Sequence, residues 1–396
     1  MGLKLCIHRG THQIGGIATE ISTATTRILI DMGDELSLDP NFVSAPLSIS
    51  GVTDANGHCD AVLFTHYHGD HTGQMLRIRP EIPLYAGALA KEIMLISARH
   101  GGQKNDALCQ RMEGIQTFSP GKPLLIGDIQ ITPFCIDHSA ADSYLFLIEA
   151  DGKRVLYTGD FRLHGVRGGT MDKILDRRID KVDVVITEGT TVSRPSGSVV
   201  MEWDLQKRVK AYLKQYKYVF VLCATTNLDR IFALARAVPY GKCSLCDEYQ
   251  YSLVNTVSEH WSSISTFYEM PKLNYFKQAP SKTFERLGGL MFVRANRQFE
   301  KIIRQFDPAQ SIILYSMWDG YRTKPGSTIP DFLALTGKWE TLHTSGHAAP
   351  EDLRHVIEKA DPEIVIPMHT DAPQKMQALC PNRKVVLLKD GEELSL

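Results

Sequence analysis

Short apolar runs broken by polar turn residues fill the first 190 positions. Runs at 3–7, 18–21, 27–30 and 61–64 read as strands, with Gly15-Gly16 and Thr25-Thr26 marking turns between them. Residues 35–58 show no period and predict an open loop. A strand at 84–85 precedes helical spacing over 89–97. Two hairpins follow, 123–126 with 129–136 through Gly127-Asp128, and 143–148 with 154–157 through Asp151-Gly152. A buried strand covers 182–187. After Glu188 the texture changes. Residues 193–197 are a polar breaker, and beyond it apolar runs alternate with helical spacing: helix 199–215, strand 218–222, helix 227–237, strand 242–245, helix 249–261, strand 290–294, helix 296–305, strand 311–315. Such alternation predicts a parallel sheet flanked by helices. A second breaker-rich stretch, 320–330, leads to a strand near Thr341, helix 350–359, strand 364–367, helix 373–379 and strand 385–388. The simplest organisation is an α/β insert at 192–336 inside a first domain built from residues 1–191 and 337–396.

Composition adds exclusions. At 396 residues, 43% hydrophobic and 22% charged, the chain has the balance of one large or two ordinary globular domains. No apolar run is long enough to span a bilayer, and the first residues read directly into a strand without a signal-peptide core. The eight cysteines are scattered and several lie in apolar runs, which predicts reduced thiols and a cytoplasmic location. Cys243 and Cys246 form a CxxC without a second pair; a zinc knuckle or redox pair is the alternative to plain packing there. The net charge is −1, so the whole chain does not announce a nucleic-acid binder, although residues 201–300 hold 14 Lys/Arg against 9 Asp/Glu.

The chemistry concentrates in AVLFTHYHGDHTG, residues 61–73. The apolar strand ends in a segment carrying His66, His68, Asp70 and His71. Imidazole nitrogens and carboxylate oxygens are what zinc and similar divalent ions accept, and four such groups lie here within six residues. Three further groups each follow a predicted strand: Asp137-His138-Ser139, Gly159-Asp160 and Met368-His369. Taken together they supply enough ligands for two adjacent ions, which can clamp the attacking and leaving oxygens of a phosphodiester.

His66-x-His68-x-Asp70-His71, with His138, Asp160 and His369 in this order, resembles the metallo-β-lactamase fold. The resemblance implies a four-layer αββα sandwich with two divalent metal ions, zinc before manganese, at the edge of its two sheets. It implies one ion on His66, His68 and His138, another on Asp70, His71 and His369, and Asp160 bridging. Asp31 matches the first motif of that family and would orient the ligand loop from behind. Thr187-Glu188-Gly189-Thr190, Ser345-Gly346-His347-Ala348 and Ile366-Pro367-Met368-His369 resemble the three extra motifs of the β-CASP branch, which cuts RNA or DNA and carries an α/β cap inserted in the lactamase fold. The Ser-Gly-His-Ala string is closest to the ribonuclease J side. Two departures stand out. The sequence runs 27 residues past His369, where the ribonuclease J pattern has a long C-terminal extension, and Thr370 stands where that pattern has Gly followed by Glu.

The expectation is a metal-dependent ribonuclease acting on single-stranded RNA (DNA being the alternative strand), from a 5′ end or internally. Asp70, Glu188 and His347 are its catalytic candidates. His347 would donate to a phosphate or leaving oxygen, Glu188 would fix its tautomer, and Ser345 with His347 would grip a terminal phosphate. A homodimer is left open, and no membrane contact is expected. The alternative is a small-molecule metallo-hydrolase, acting on a thioester, lactone or cyclic nucleotide at the same two-metal site. A binding subunit without catalysis is disfavoured because every ligand position is filled.

Overall fold

Strand Lys4–Arg9 buries Leu5 and Ile7, which alternate along it, and pairs antiparallel with Ala18–Ser22 on one side and Glu393–Ser395 on the other. From there Arg27–Ile30, Ala61–Leu63, Leu84–Gly87 and Gln116–Phe118 complete a seven-stranded sheet, the last four strands being mutually parallel. A second seven-stranded sheet runs in the order Lys384–Val385, Ile364–Met368, Val184–Glu188, Lys153–Tyr157, Ser143–Ala150, Ile129–Ile136, Leu124–Ile126. The inner faces of the two sheets share one core: Leu5, Ile28 and Leu63 of the first pack with Phe146, Tyr157, Ile186 and Ile366 of the second. Helix Ala88–His100 covers the outer face of the first sheet. Helices Thr170–Arg177, Pro350–Ala360 and Lys375–Leu379 cover that of the second. These four layers are the expected αββα stack. The computed structural model describes residues 2–194, 197 and 199–396, so Pro195 and Ser196 of the predicted breaker lie outside the described residues.

A third sheet of six strands, all parallel, runs Asn274–Phe276, Cys243–Asp247, Gly289–Val293, Tyr218–Cys223, Ser311–Ser316, Trp339–Thr341. In sequence it falls between Val184–Glu188 and Ile364–Met368, which are neighbours in the second sheet. Its helix Glu248–Trp261, capped by Asp247 and Gln250 in a capping box, lies against Ala88–His100. There Tyr249 stacks on His100 with ring centroids 3.9 Å apart and donates to Ser97 Oγ at 3.0 Å.

Several expectations shift. Trp339–Thr341 pairs with Ser311–Ser316, so the third sheet runs past the expected boundary at 336: three residues with exposed side chains gain their backbone bonds only on that edge. Strand Glu393–Ser395 was not predicted, because its pairing with Lys4–Arg9 joins opposite ends of the chain. Helices Asp106–Glu113 and Thr170–Arg177 also went unpredicted, although Met171, Ile174 and Leu175 carry the helical spacing. Cys243 and Cys246 both lie on strand Cys243–Asp247. An odd separation on a strand sends them to opposite faces, Cys246 into one core cluster and Cys243 against another, so they cannot share an ion. All eight cysteines are free. Among the described residues no helix is long and apolar enough to cross a membrane.

Candidate metal centre

Strand direction decides where the chemistry meets. In the second sheet Ile129–Ile136, Lys153–Tyr157, Val184–Glu188 and Ile364–Met368 all point the same way, so their carboxyl ends share one edge. In the first sheet Arg27–Ile30 and Ala61–Leu63 end beside each other, delivering Asp31 and the 66–71 segment. Rigid strand ends thereby hold every group that follows.

There the seven expected ligands converge. His66 Nε2 and His138 Nε2 lie 3.1 and 3.3 Å from His68 Nδ1. His369 Nε2 is 3.2 Å from Asp70 Oδ2, and His71 Nε2 is 4.0 Å from it. Asp160 Oδ2 stands between the two groups, 3.2 Å from His71 Nε2, 3.7 Å from His369 Nε2 and 3.9 Å from both His66 and His138 Nε2. His66, His68 and His138 form one set whose ligand atoms lie within 4.8 Å of one another; Asp70, His71 and His369 form a second.

The surrounding partners prepare these atoms for a cation. His71 Nδ1 donates to Asp31 Oδ2 at 2.8 Å, and Asp31 accepts in turn from the Thr65 amide and hydroxyl, each at 2.8 Å. His138 Nδ1 donates to the Gly346 carbonyl at 2.6 Å, and His369 Nδ1 donates to Thr190 Oγ1 at 2.7 Å. With Nδ1 protonated in each, Nε2 keeps its lone pair for a metal. His71 Nε2 and Asp160 Oδ1 are buried without a hydrogen-bond partner among the described residues, which leaves unmatched donor atoms where an ion would satisfy them. Burial and the neighbouring imidazoles push His66 well down, and burial lowers His68 to about 4 and His138 well below its usual value, so these rings stay neutral, as ligation requires. The donor set fits the implied divalent ions.

Backbone conformation aims two of these groups. Asp31 (φ 61°) and His369 (φ 51°) adopt the left-handed region just past their strands, uncommon for residues with a Cβ. Gly33 lets the chain after Asp31 lie against the ligand segment, because a Cβ there would fall 1.7 Å from the Asp70 carbonyl oxygen.

His347 Nδ1 lies 2.9 Å from Glu188 Oε2 and 3.7 Å from Asp160 Oδ2. The other Glu188 oxygen accepts from the Phe161 amide at 2.8 Å. Burial opposes charge on His347, but Glu188 and Asp160 outweigh it and raise the imidazole to about 9. Ser345 Oγ accepts from the His347 amide at 3.0 Å. Its loop is tied down by Arg162, which donates to the Ser345 carbonyl and to Asp137 and Glu202, and by His164. A cleft of about 1070 Å³ opens over the site, lined by His68, Asp70, Ser345 and His347 and by Leu36 and Leu38 of the irregular 35–58 loop.

Thr65, Thr190, Arg162 and Glu202 were not singled out by sequence. Thr190 closes the quoted Thr187–Thr190 string and Arg162 sits two positions after Asp160, so proximity to a ligand was the available signal. Tyr67 also matters. It lies between two ligands, and its hydroxyl accepts from the Ala141 amide and donates to the Thr226 carbonyl at 2.7 Å, joining the ligand loop to the third sheet.

Residues 26–218 match the beta-lactamase superfamily domain. Over that stretch, just under half of its length, the chain is similar to the beta-lactamase superfamily. It is 20% identical over 426 aligned positions to ribonuclease J of Helicobacter pylori, covering 98% of this chain and 60% of that protein. The chain thus spans about three-fifths of the length of those relatives. An RNase J-like protein of Methanocaldococcus jannaschii is 28% identical over 194 residues, covering 47% of this chain and 42% of its own. The crystal structure of a protein of unknown function from Enterococcus faecalis superposes with a TM-score of 0.81 at 19% identity, covering the whole of both chains. The matched domain and the buried His/Asp cluster together are consistent with a metal site typical of that superfamily.

Proposed function

We propose that this chain is a metallo-hydrolase that cleaves the phosphodiester bonds of single-stranded RNA, with the unit built on the third sheet, which runs to Thr341, acting as an inserted cap of β-CASP type. The observation that carries the reading is the Glu188–His347 pair beside Asp160: an imidazole held by an acid, at the rim of a metal cluster, is equipped to deliver a proton. Relatives named ribonuclease J align over nearly the whole chain and support it.

His66, His68 and His138 would hold one ion, Asp70, His71 and His369 the other, with Asp160 between them. When bound, two such ions would stabilise charge on phosphoryl oxygens and make a water more acidic. Zinc suits the donor set, and manganese is the second choice. Glu188 holds His347 by Nδ1, so the proton for the departing 3′ oxygen sits on Nε2. Ser345 and the amides around it receive a non-bridging or terminal phosphate oxygen. Asp70 would help to hold its ion beside His71 and His369.

The small-molecule alternative draws on one observation: Leu36, Leu38, Val199 and Val200 line the cleft, and its cations Arg194 and Lys324 are balanced by Asp34, Glu351 and Asp371, so the cleft is not a basic groove. One experiment separates the readings. End-labelled 5′-monophosphate RNA and a thioester are offered to the full chain during zinc and manganese titration. Stepwise or internal RNA cleavage with an inert thioester is expected. Thioester turnover with intact RNA would replace the nuclease reading with the alternative.

A further inference from the structure

The third sheet aims its carboxyl-terminal edge at the metal cluster. Ala224, Thr226 and Asn227, just past strand Tyr218–Cys223, line the cleft, as do Met317 and Trp318, just past Ser311–Ser316. Parallel α/β sheets bind ligands at this end of their strands. The most conspicuous group there is an indole. Trp318 is 42% exposed, although an aromatic of that size is ordinarily turned inward.

Its position is built. A Cβ on Gly320 would fall 2.3 Å from Trp318 Cη2, so only glycine lets the ring lie against that backbone. The Tyr315 hydroxyl donates to the Trp318 carbonyl at 2.6 Å and holds the turn. Tyr321, one helical turn on, meets the indole edge to face, with centroids 5.4 Å apart at 86°. The exposed part of the indole lines the cleft beside Tyr321. Lys324 and Arg194 line the same cleft, balanced by Asp34, Glu351 and Asp371, and Asn227 and Thr344 add polar groups. A flat π surface beside cations, amides and hydroxyls suits a base joined to a phosphate. A plain hydrocarbon chain would be better served by a closed apolar tunnel.

We infer that Trp318 is a stacking platform for a nucleobase of the strand whose phosphate occupies the metal cluster, with Tyr321 fixing the plane of the indole. This rests on the phosphodiesterase reading above and names the substrate feature that the third sheet recognises.

The test uses the full chain loaded with zinc or manganese and a 5′-monophosphate single-stranded RNA, with a matched set in which one nucleotide at a time is abasic. Stacking on an aromatic side chain is worth enough that Trp318→Ala should raise KM about 10-fold with little change in kcat, and Trp318→Phe should restore most of it. One abasic position should weaken wild type to the same extent and leave Trp318→Ala indifferent. The strand should also quench tryptophan emission in wild type more than in Trp318→Phe. RNA that is cut with unchanged KM by Trp318→Ala, or abasic strands that weaken both proteins equally, would overturn this inference and leave the nuclease reading standing. RNA left intact by wild type would remove both.

Discussion

Replacing His347 by alanine takes away the imidazole proposed as proton source while leaving both three-residue clusters whole. The expected outcome is a kcat on RNA lower by roughly 10²-fold or more, with metal content unchanged by elemental analysis. A variant that cuts as fast as wild type would remove His347 from the reaction. Asp31 acts one step further back. It is not among the ligand candidates but accepts from one of them, His71 Nδ1, and from Thr65. Asp31→Asn keeps the side-chain shape and tolerates the left-handed backbone, yet it no longer offers two acceptor oxygens. Metal retention against a chelator should weaken by about 10- to 100-fold, as for other supports of a ligating imidazole. At this scale the sequence was informative: the seven ligand candidates, and Glu188 with His347, lie close together at one sheet edge. The supporting groups were illegible because Thr65, Thr190 and the Gly346 carbonyl are ordinary residues until a ring nitrogen is set beside them.

Among the elements, helix Glu202–Gln215 carries an unusual load at its first turn. Glu202 is wholly buried and accepts from Arg162, two residues past Asp160, and from Arg230 on helix Leu228–Ala235. Arg230 also donates to the carbonyls of Ser316 and Thr344. The pair of guanidiniums thus clamps the third sheet to the loop that presents Ser345. Burial pushes the Glu202 carboxyl up, but Arg230 and Arg162 outweigh it and bring it from 4.5 to about 2. A carboxyl depressed on folding adds stability that is full above pH 4.5 and drains away as pH falls toward 2. Glu202→Gln should therefore cost about 3–5 kcal/mol near neutral pH, because two buried cations lose their counter-charge. Its urea midpoint should also fall less steeply than that of wild type between pH 4.5 and 3. Equal slopes in the two proteins would show that Glu202 is not the titrating group. Most elements were readable from local period alone, as with Ile129–Ile136 and Tyr218–Cys223. Edge strands such as Asn274–Phe276 and Glu393–Ser395 were not, since three residues carry too little period and depend on a partner far away in sequence.

For the molecule as a whole, an ion in the cluster would tie together strand ends from two sheets and the loop at Gly346. Chelation should then lower the thermal midpoint by several degrees as well as abolish hydrolysis, since a ligand at about 1,000 times its Kd contributes roughly 4 kcal/mol to the folded state. Zinc added back should restore both, followed by scanning fluorimetry and RNA cleavage. A chelated chain with an unshifted midpoint would mean that the cluster is held by protein contacts alone. By itself the sequence determined the α/β class and which His and Asp side chains are candidates to hold a metal, because strand period and donor type are local properties. Only the tertiary structure decided that Trp339–Thr341 belongs to the third sheet, that Cys243 and Cys246 face apart, and that Trp318 looks into the cleft. Those are facts of pairing, facing and packing between distant segments, and a local pattern does not encode which surface another segment will cover.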